Sequence, residues 1–139
     1  MTHRNDLTQI SAMLVDDSGT GRVESIMLMV NYQDREILDH ALAPLHKLGL
    51  LELSLRQWGG TDHEPFADTG IPAFVAIPDA RDYGKTHHSQ ADTFDRVIPE
   101  DLIQSAQVLA IWAYNVAQLP ERLPRTGPHR SQTEAAPSP

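Results

Sequence analysis

Four short apolar runs, each bounded by a turn or a polar loop, limit the possible folds of this sequence more than any other feature. The runs cover residues 10–15, 23–30, 51–55 and 73–77. Each has the length of a strand, and residues 51–55 also alternate apolar and polar side chains with the period of two that is typical of strands. The sequence therefore predicts four strands separated by other structure.

Helical patterns lie between and after these runs. Residues 33–47 carry leucines on one face at helical spacing, and Gly49 supplies the stop. A second helix is predicted to begin at Pro99. Its apolar stripe is predicted to consist of Leu102, Ala106, Leu109, Ala113 and Val116. With a short helix near residues 63–69, the order of strands and helices predicts an α/β sandwich.

The composition permits a packed domain and argues against several classes of partner. Hydrophobic residues make up 40% of the chain, which is enough to bury a core. Eleven Lys and Arg against nineteen Asp and Glu give a net charge of −8 without a basic cluster, so no nucleic-acid or anionic-membrane partner is expected. No apolar run approaches the roughly 20 residues of a membrane helix. The absence of cysteine removes disulfides and thiolate chemistry.

The composition changes after Leu119. Residues 120–139 contain five of the ten prolines, together with Arg, Ser and Thr, and this composition predicts a disordered tail. The predicted folded portion is therefore residues 1–119. The polar N-terminus carries no signal-peptide pattern, and the cellular location stays open.

Three polar loops follow predicted strands, at residues 16–21, 56–64 and 78–97. Ligand sites in α/β folds lie at strand ends, so chemistry is expected in these loops. In the first, Asp16 and Asp17 can ligate a cation or serve as ordinary turn residues.

The second and third loops also permit two interpretations each. Asp62 and His63 can contact a substrate, or they can belong to the beginning of a short helix. His88 can bind a metal through one ring nitrogen while Asp92 holds the other. The alternative for His87 and His88 is a solvated histidine pair.

Taken together, the segments VDDSGT (15–20), GTDHEPF (60–66) with GIP (70–72), and HHSQADT (87–93) resemble one family. They are similar to the C-terminal part of the co-catalytic zinc exopeptidases, which include leucyl-type aminopeptidases and the plasma glutamate carboxypeptidase group. The resemblance implies an α/β/α sandwich with a mixed sheet. It also implies two zinc ions bridged by an aspartate, a glutamate as general base, and a peptide or dipeptide as substrate. Complete members are often secreted or periplasmic.

The resemblance assigns roles to particular residues. Asp17, directly before the Ser-Gly-Thr turn, matches an aspartate ligand of the family, and Asp16 is the less favoured choice. His88, four residues before Asp92, matches the last histidine ligand, which makes His87 a neighbour. Asp62, His63 and Asp92 receive a supporting or substrate-lining role.

The sequence also departs from the family pattern. The family's upstream His-x-Asp segment and its Glu-Glu pair have no counterpart, so no catalytic residue is assigned. We therefore expect a C-terminal piece of a zinc exopeptidase that binds zinc weakly or not at all and is inactive alone. Two alternatives stay open: a non-catalytic remnant that self-associates through an exposed sheet edge, and a relative of the glutaminyl cyclases, which use a single zinc held by Asp, Glu and His.

Overall fold

The computed structural model describes residues 6–127 except Leu51 and Asp82. Its strands are β1 (Met13–Val15), β2 (Val23–Met27), β3 (Glu52–Ser54) and β4 (Ala73–Pro78). Its α-helices are α1 (Arg35–Ala41), α2 (Glu64–Ala67), α3 (Tyr83–Thr86) and α4 (Pro99–Ala117). Short 3₁₀ segments lie at Asp6–Gln9, Tyr32–Asp34, Ala43–Leu48 and Phe94–Arg96. Each predicted strand is present, which confirms the α/β class.

The four strands form one mixed sheet in the order β1-β4-β2-β3. β1 runs parallel to β4, with Leu14 opposite Phe74. β4 is antiparallel to β2, and β2 is parallel to β3. Because β1 and β4 point in the same direction, the loops that follow Val15 and Pro78 leave the sheet at the same end of the strands.

Most of the core lies on one face of the sheet, where α1 and α4 pack. The cluster comprises Val23, Ile26, Leu28, Leu38, Leu42, Leu45, Leu50, Leu53, Phe74, Ala76, Val108, Trp112, Val116 and Leu123. Phe74 and Trp112 meet edge to face, with ring centroids 5.7 Å apart. The alternate residues Met27, Met29 and Val75 form a smaller cluster on the opposite face.

No helix in the described part of the chain could span a membrane.

The single helix predicted over residues 33–47 is wrong in one respect. The structure divides it into α1, which ends at Ala41, and the 3₁₀ segment Ala43–Leu48. Pro44 lies in the first turn of that segment, and proline has no N–H to continue an α-helical ladder. The stop at Gly49 is confirmed, since this residue takes a φ of +93° that most other residues avoid.

The stripe predicted for α4 is confirmed only at Val116, which is buried in the core, because the buried face of the helix is rotated and begins with polar residues. Leu102 is 53% exposed, whereas Gln104 is only 3% exposed. The Gln104 amide forms buried hydrogen bonds with Val23: Oε1 accepts from the backbone N–H and Nε2 donates to the carbonyl, both at 2.9 Å. Nε2 also donates to the Leu48 carbonyl at 3.1 Å. Apolar periodicity could not reveal that backbone groups of the sheet select a polar side chain here.

The chain remains packed beyond Leu119. Leu123 is buried in the main cluster. The guanidinium groups of Arg122 and Arg125 donate to the carbonyls of Thr8 and Leu7, each at 2.7 Å. Residues 120–127 therefore contact the rest of the domain, while the remainder of the predicted tail, 128–139, lies outside the described residues.

One carboxyl group is buried at the beginning of α1. Asp34 is 1% exposed, and its Oδ2 has no hydrogen-bond partner among the described residues. Burial raises the pKa of Asp34 to about 6 from an ordinary value of 3.8. The folded protein therefore holds this proton more tightly than the unfolded chain does.

Substitution Gln104→Ala is expected to lower the free energy of unfolding by about 2–4 kcal/mol, because it leaves buried backbone groups of Val23 unpaired. Gln107→Ala, at an exposed position of the same helix, should change it by less than about 0.5 kcal/mol. Urea unfolding of both variants provides the measurement. Equal stability of the two variants would contradict the role assigned to Gln104.

Substitution Asp34→Asn is expected to stabilise the protein at pH 7.5 by about 1–3 kcal/mol and to have little effect near pH 4. The sign follows from the raised pKa: Asp34 lowers the stability of the fold as the pH rises from about 4 through 6. Urea unfolding across this pH range tests it, with the exposed Glu36→Gln as control. A pH-independent difference between Asp34→Asn and the parent would refute the assignment.

Candidate functional site

The loops after β1 and β4 touch at the sheet edge where both strands end. The Asp79 N–H donates to the Arg22 carbonyl at 2.8 Å. Gly21 makes this approach possible, because a Cβ at this position would lie 2.2 Å from the Asp79 carbonyl oxygen. The two loops are therefore joined through their backbones.

Arg81 links the loop after β4 to the beginning of α4 through ion pairs. Arg81 Nε lies 2.6 Å from Asp79 Oδ2, and Arg81 Nη2 donates to Asp101 Oδ2 at 3.1 Å. Asp101 is buried in the first turn of α4, where the helix dipole also favours a carboxylate. This arrangement restrains the segment that leads into α3.

The loop after β3 reaches the same place through Thr61. The Thr61 hydroxyl donates to Asp17 Oδ2 at 2.7 Å. The neighbouring Gly60 N–H donates to Glu64 Oε1 at 2.9 Å, which ties the loop to the beginning of α2. All three loops predicted to carry chemistry thus meet.

A cavity of about 580 Å³ lies between them. Its lining residues are Asp16, Asp17, Ser18, Gly19, Thr20, Trp58, Gly59, Gly60, Thr61, Tyr83, Thr86, His87, His88, Asp92, Thr93, Arg96 and Val97. This size suits a small ligand. The cavity contains both residues that the resemblance names as metal ligands, Asp17 and His88.

The two aspartates of the first loop have different environments. The Asp17 side chain is exposed to the cavity and accepts the hydrogen bond from Thr61. Asp16 is half-buried, and its Oδ1 has no hydrogen-bond partner among the described residues. Burial, and to a smaller extent the charge of Asp17, raise the pKa of Asp16 to about 6. Asp17 is therefore the more accessible of the two candidate ligands, and Asp16 adds a carboxyl group with a raised pKa beside it.

The histidine pair is arranged as a stack of rings. His87 and His88 lie nearly parallel with centroids 3.9 Å apart, and the Tyr83 ring is 4.7 Å from that of His87. The backbone of His88 takes a φ of +52°, a left-handed conformation that costs about 1 kcal/mol outside glycine. The stacked pair lies in the cavity lining, and the His88 side chain is exposed there.

Of the three residues with a predicted supporting role, Asp62, His63 and Asp92, only Asp92 lines the cavity. Asp92 lines the cavity, but it forms no hydrogen bond with His88 in the described structure. Asp62 is exposed and is not among the lining residues. His63 is 2% exposed, and its carbonyl accepts from the N–H groups of Phe66 and Ala67 in α2.

Several lining residues have no distinctive pattern in the sequence. The sequence does not single out Thr61, although its position directly before Asp62 in the family-like segment is a signal that points to it. Trp58, Tyr83 and Arg96 also line the cavity. Isolated aromatic and basic residues in long loops have no spacing pattern, so no local signal could have assigned them.

The donor set of the described residues does not fit a catalytic zinc ion. Among residues 6–50, 52–81 and 83–127, no three His, Asp or Glu side chains are placed so that they could hold a metal together. Catalytic zinc usually has three protein ligands and an open position. The resemblance names two of the described residues as ligands, Asp17 and His88. It also implies that each of them would bind a different zinc ion.

Comparison with known sequences identifies the family. A profile of peptidase family M28 matches residues 3–113, and the chain belongs to this family. M28 is a family of co-catalytic zinc exopeptidases, generally zinc-dependent, and its peptidases act on peptide substrates. The resemblance noted from the three loop segments is thereby confirmed.

Individual relatives agree with this assignment. Human carboxypeptidase Q is 27% identical over 124 residues, which cover 89% of this chain and 26% of the relative. Aminopeptidase YwaD from Bacillus subtilis (strain 168) is 26% identical over 118 residues, covering 81% of this chain and 26% of the relative. The chain therefore spans about a quarter of the length of these relatives.

A solved structure supports the fold. The crystal structure of a peptidase M28 precursor from Shewanella amazonensis SB2B superimposes with a TM-score of 0.80 at 26% identity. The superposition covers 91% of this chain and 29% of that one. The mixed sheet and the α/β class predicted for the chain are confirmed.

Substitution Thr61→Val is expected to free the loop after β3 from Asp17 and to lower stability by less than about 1 kcal/mol, because the lost bond is exposed. Acrylamide quenching of tryptophan fluorescence should increase, since Trp58 is 40% exposed in this loop while Trp112 is buried. Thr69→Val, which removes a hydroxyl that bonds within the α2 region, is the matched control. Identical quenching in both variants would contradict the proposed restraint.

Proposed function

We propose that this chain forms the C-terminal part of a zinc-dependent exopeptidase, which releases residues from a chain end or splits dipeptides. Membership in M28 supports the reaction class. The observation that carries the proposal is the meeting of Asp17 and His88 in one cavity, although they belong to loops far apart in the sequence. Placement of such side chains at strand ends agrees with the usual position of sites in α/β folds.

In this proposal Asp17 would hold one zinc ion and His88 the other once the remaining ligands of the complete enzyme are present. Thr61 orients the Asp17 carboxylate, and Asp92 lines the cavity beside His88. Asp62 and His63 act indirectly, because one lies outside the lining and the other is buried at the beginning of α2. The general base and the other ligands belong to the upstream His-x-Asp and Glu-Glu segments of the family.

The chain alone is therefore proposed to bind zinc weakly and to lack peptidase activity. One protein ligand for each ion leaves most of the coordination shell to water, which gives low affinity. The described residues also provide no glutamate in the cavity lining that could act as the general base.

A second candidate function is association without catalysis. Strand β1 lies at one edge of the sheet, and its residues Met13, Leu14 and Val15 are only half-buried. The opposite edge strand, β3, begins with the exposed Glu52, a charge that discourages further pairing. A strand from a second copy could pair with β1, so self-association through this edge is the competing proposal.

The first test is a chimera in which this chain replaces the matching segment of aminopeptidase YwaD. After dialysis against metal-free buffer, the isolated chain should retain less than about 0.1 zinc per molecule, and the chimera close to two. The chimera should hydrolyse peptides with a free amine. Asp17→Asn and His88→Ala in the chimera should each reduce activity at least about 100-fold, since each removes a metal ligand.

Controls separate these outcomes from misfolding. His40→Ala, at an exposed position of α1, should leave zinc content and activity unchanged. Circular dichroism spectra and unfolding temperatures should match between the parent chimera and each variant. Retention of two zinc ions by the isolated chain would refute the incomplete site.

The same experiment distinguishes the alternatives. Cyclisation of N-terminal glutamine peptides without hydrolysis of free-amine peptides would favour the cyclase interpretation. A well-folded chimera without zinc or activity, together with a stable dimer of the isolated chain, would favour the association module.

A further inference from the structure

The side of α4 that points away from the sheet carries no charge over almost its whole length. From Leu102 to Pro120 the sequence contains no Asp, Glu, Lys or Arg. Leu102, Ile103 and Tyr114 are 53%, 58% and 67% exposed. The outward face of α4 consists of these three residues and the other exposed residues of the segment, Ala106, Gln107, Ala110, Ala113 and Ala117. A surface helix normally presents charged residues to water, so this face is suited to contact with protein.

The charge of the whole chain limits where two copies can meet. Each copy carries a net charge of −8, so two copies repel each other where their acidic surfaces come together. The exposed side of α1 contains Glu36 and Asp39, and the edge strand β3 begins with the exposed Glu52. The outward face of α4 opposes no like charges when two copies approach along it.

The spacing along this face is that of a helix that packs against another helix. Ile103, Ala106, Ala110, Ala113 and Ala117 are separated alternately by three and four residues, which is the pattern of a coiled-coil seam. Small side chains at such a seam allow two helix axes to approach closely. The face therefore fits a second helix of similar length.

The order of large and small residues favours an antiparallel pair of α4 helices. When Ala110 of both copies lies at a two-fold axis, Ile103 of one copy is level with Ala117 of the other. In the same arrangement Tyr114 is level with Ala106. Each large side chain then lies beside a small one, and the two-fold axis repeats both pairs. A parallel pair would bring large residues level with large ones and leave gaps between the alanines.

The size of the face indicates a weak dimer. An α-helix rises about 1.5 Å per residue, so residues 102–118 span roughly 24 Å. Two such faces in contact bury on the order of 1,000 Å² in total, which is near the lower limit of a specific interface. We therefore expect a dissociation constant of about 10–100 μM.

We propose that the outward face of α4 is a dimer interface, in which a second copy of this chain packs antiparallel across a two-fold axis at Ala110. Within the described part of the chain, this face shares no residue with the cavity lining or with β1. Pairing through it therefore differs from association through the β1 edge, and the inference does not depend on the exopeptidase function.

The first test is sedimentation equilibrium of the intact purified chain at about 5–500 μM, a range that spans the expected dissociation constant. Ala110→Lys places two like charges at the axis and should weaken dimerisation at least about tenfold. Lysine has a high helix propensity and Ala110 is exposed, so the variant should fold, which circular dichroism checks. Gln33→Lys, at an exposed position before α1, adds the same charge and should leave the dissociation constant unchanged.

Disulfide cross-linking tests the orientation of the two helices. The chain contains no cysteine, so every cross-link must come from an introduced thiol. After oxidation with copper phenanthroline, Ala110→Cys should form linked dimers, whereas Gln33→Cys should form few. An equal mixture of Ile103→Cys and Ala117→Cys chains should give more of the mixed dimer than of either homodimer.

Three results would overturn the inference. One is a parent chain that stays monomeric at about 500 μM, which would leave the face to another protein. The second is equal dimerisation of Ala110→Lys and the parent, which would place the interface on another surface such as the β1 edge. The third is an excess of Ile103→Cys homodimers over mixed dimers. An inactive chimera combined with an Ala110-dependent dimer would count against the exopeptidase proposal alone.

Discussion

The parallel pairing of β1 with β4 is the constraint on which the site depends. Neighbouring parallel strands have their C-terminal ends at the same end of the sheet. The turn after Val15 and the long loop after Pro78 therefore begin close to each other. β2 enters antiparallel to β4 and is held by Gln104 of α4, which fixes the helix layer to the same sheet. The position of the cavity therefore follows from the direction of the strands, and the residues that line it lie mainly in the loops.

Much of this arrangement could be predicted from sequence, because strands and turns have local signals. The four apolar runs and Gly49 identified the sheet and the end of the first helical region. The rotated face of α4 could not be foreseen, since Gln104 is buried through hydrogen bonds to Val23 and Leu48, and hydrophobic spacing contains no information about distant backbone partners. Pro44 did carry a local signal that the leucine periodicity outweighed.

In the site too, some features have a local sequence signal and others depend on distant contacts. Asp17 and His88 were identified by family-like segments, and both line the cavity. The hydrogen bond between Thr61 and Asp17 joins two loops that lie more than 40 residues apart, and no local sequence pattern indicates this contact. The stacking of His87 on His88 depends on a left-handed backbone at a non-glycine residue, which neither composition nor spacing indicates. Long-range contacts, rather than residue types, set the geometry of the site.

The contacts of Arg122 and Arg125 place both ends of the described chain side by side. They bind carbonyls of residues that precede β1, while the cavity follows the C-terminal end of that strand. A segment joined to either end starts from the far rim of the sheet. To reach the cavity along β4, whose six residues at about 3.3 Å each span roughly 20 Å, it must run the full length of a strand. A ligand supplied to this site by an adjoining segment must therefore be carried across that distance before it can line the cavity.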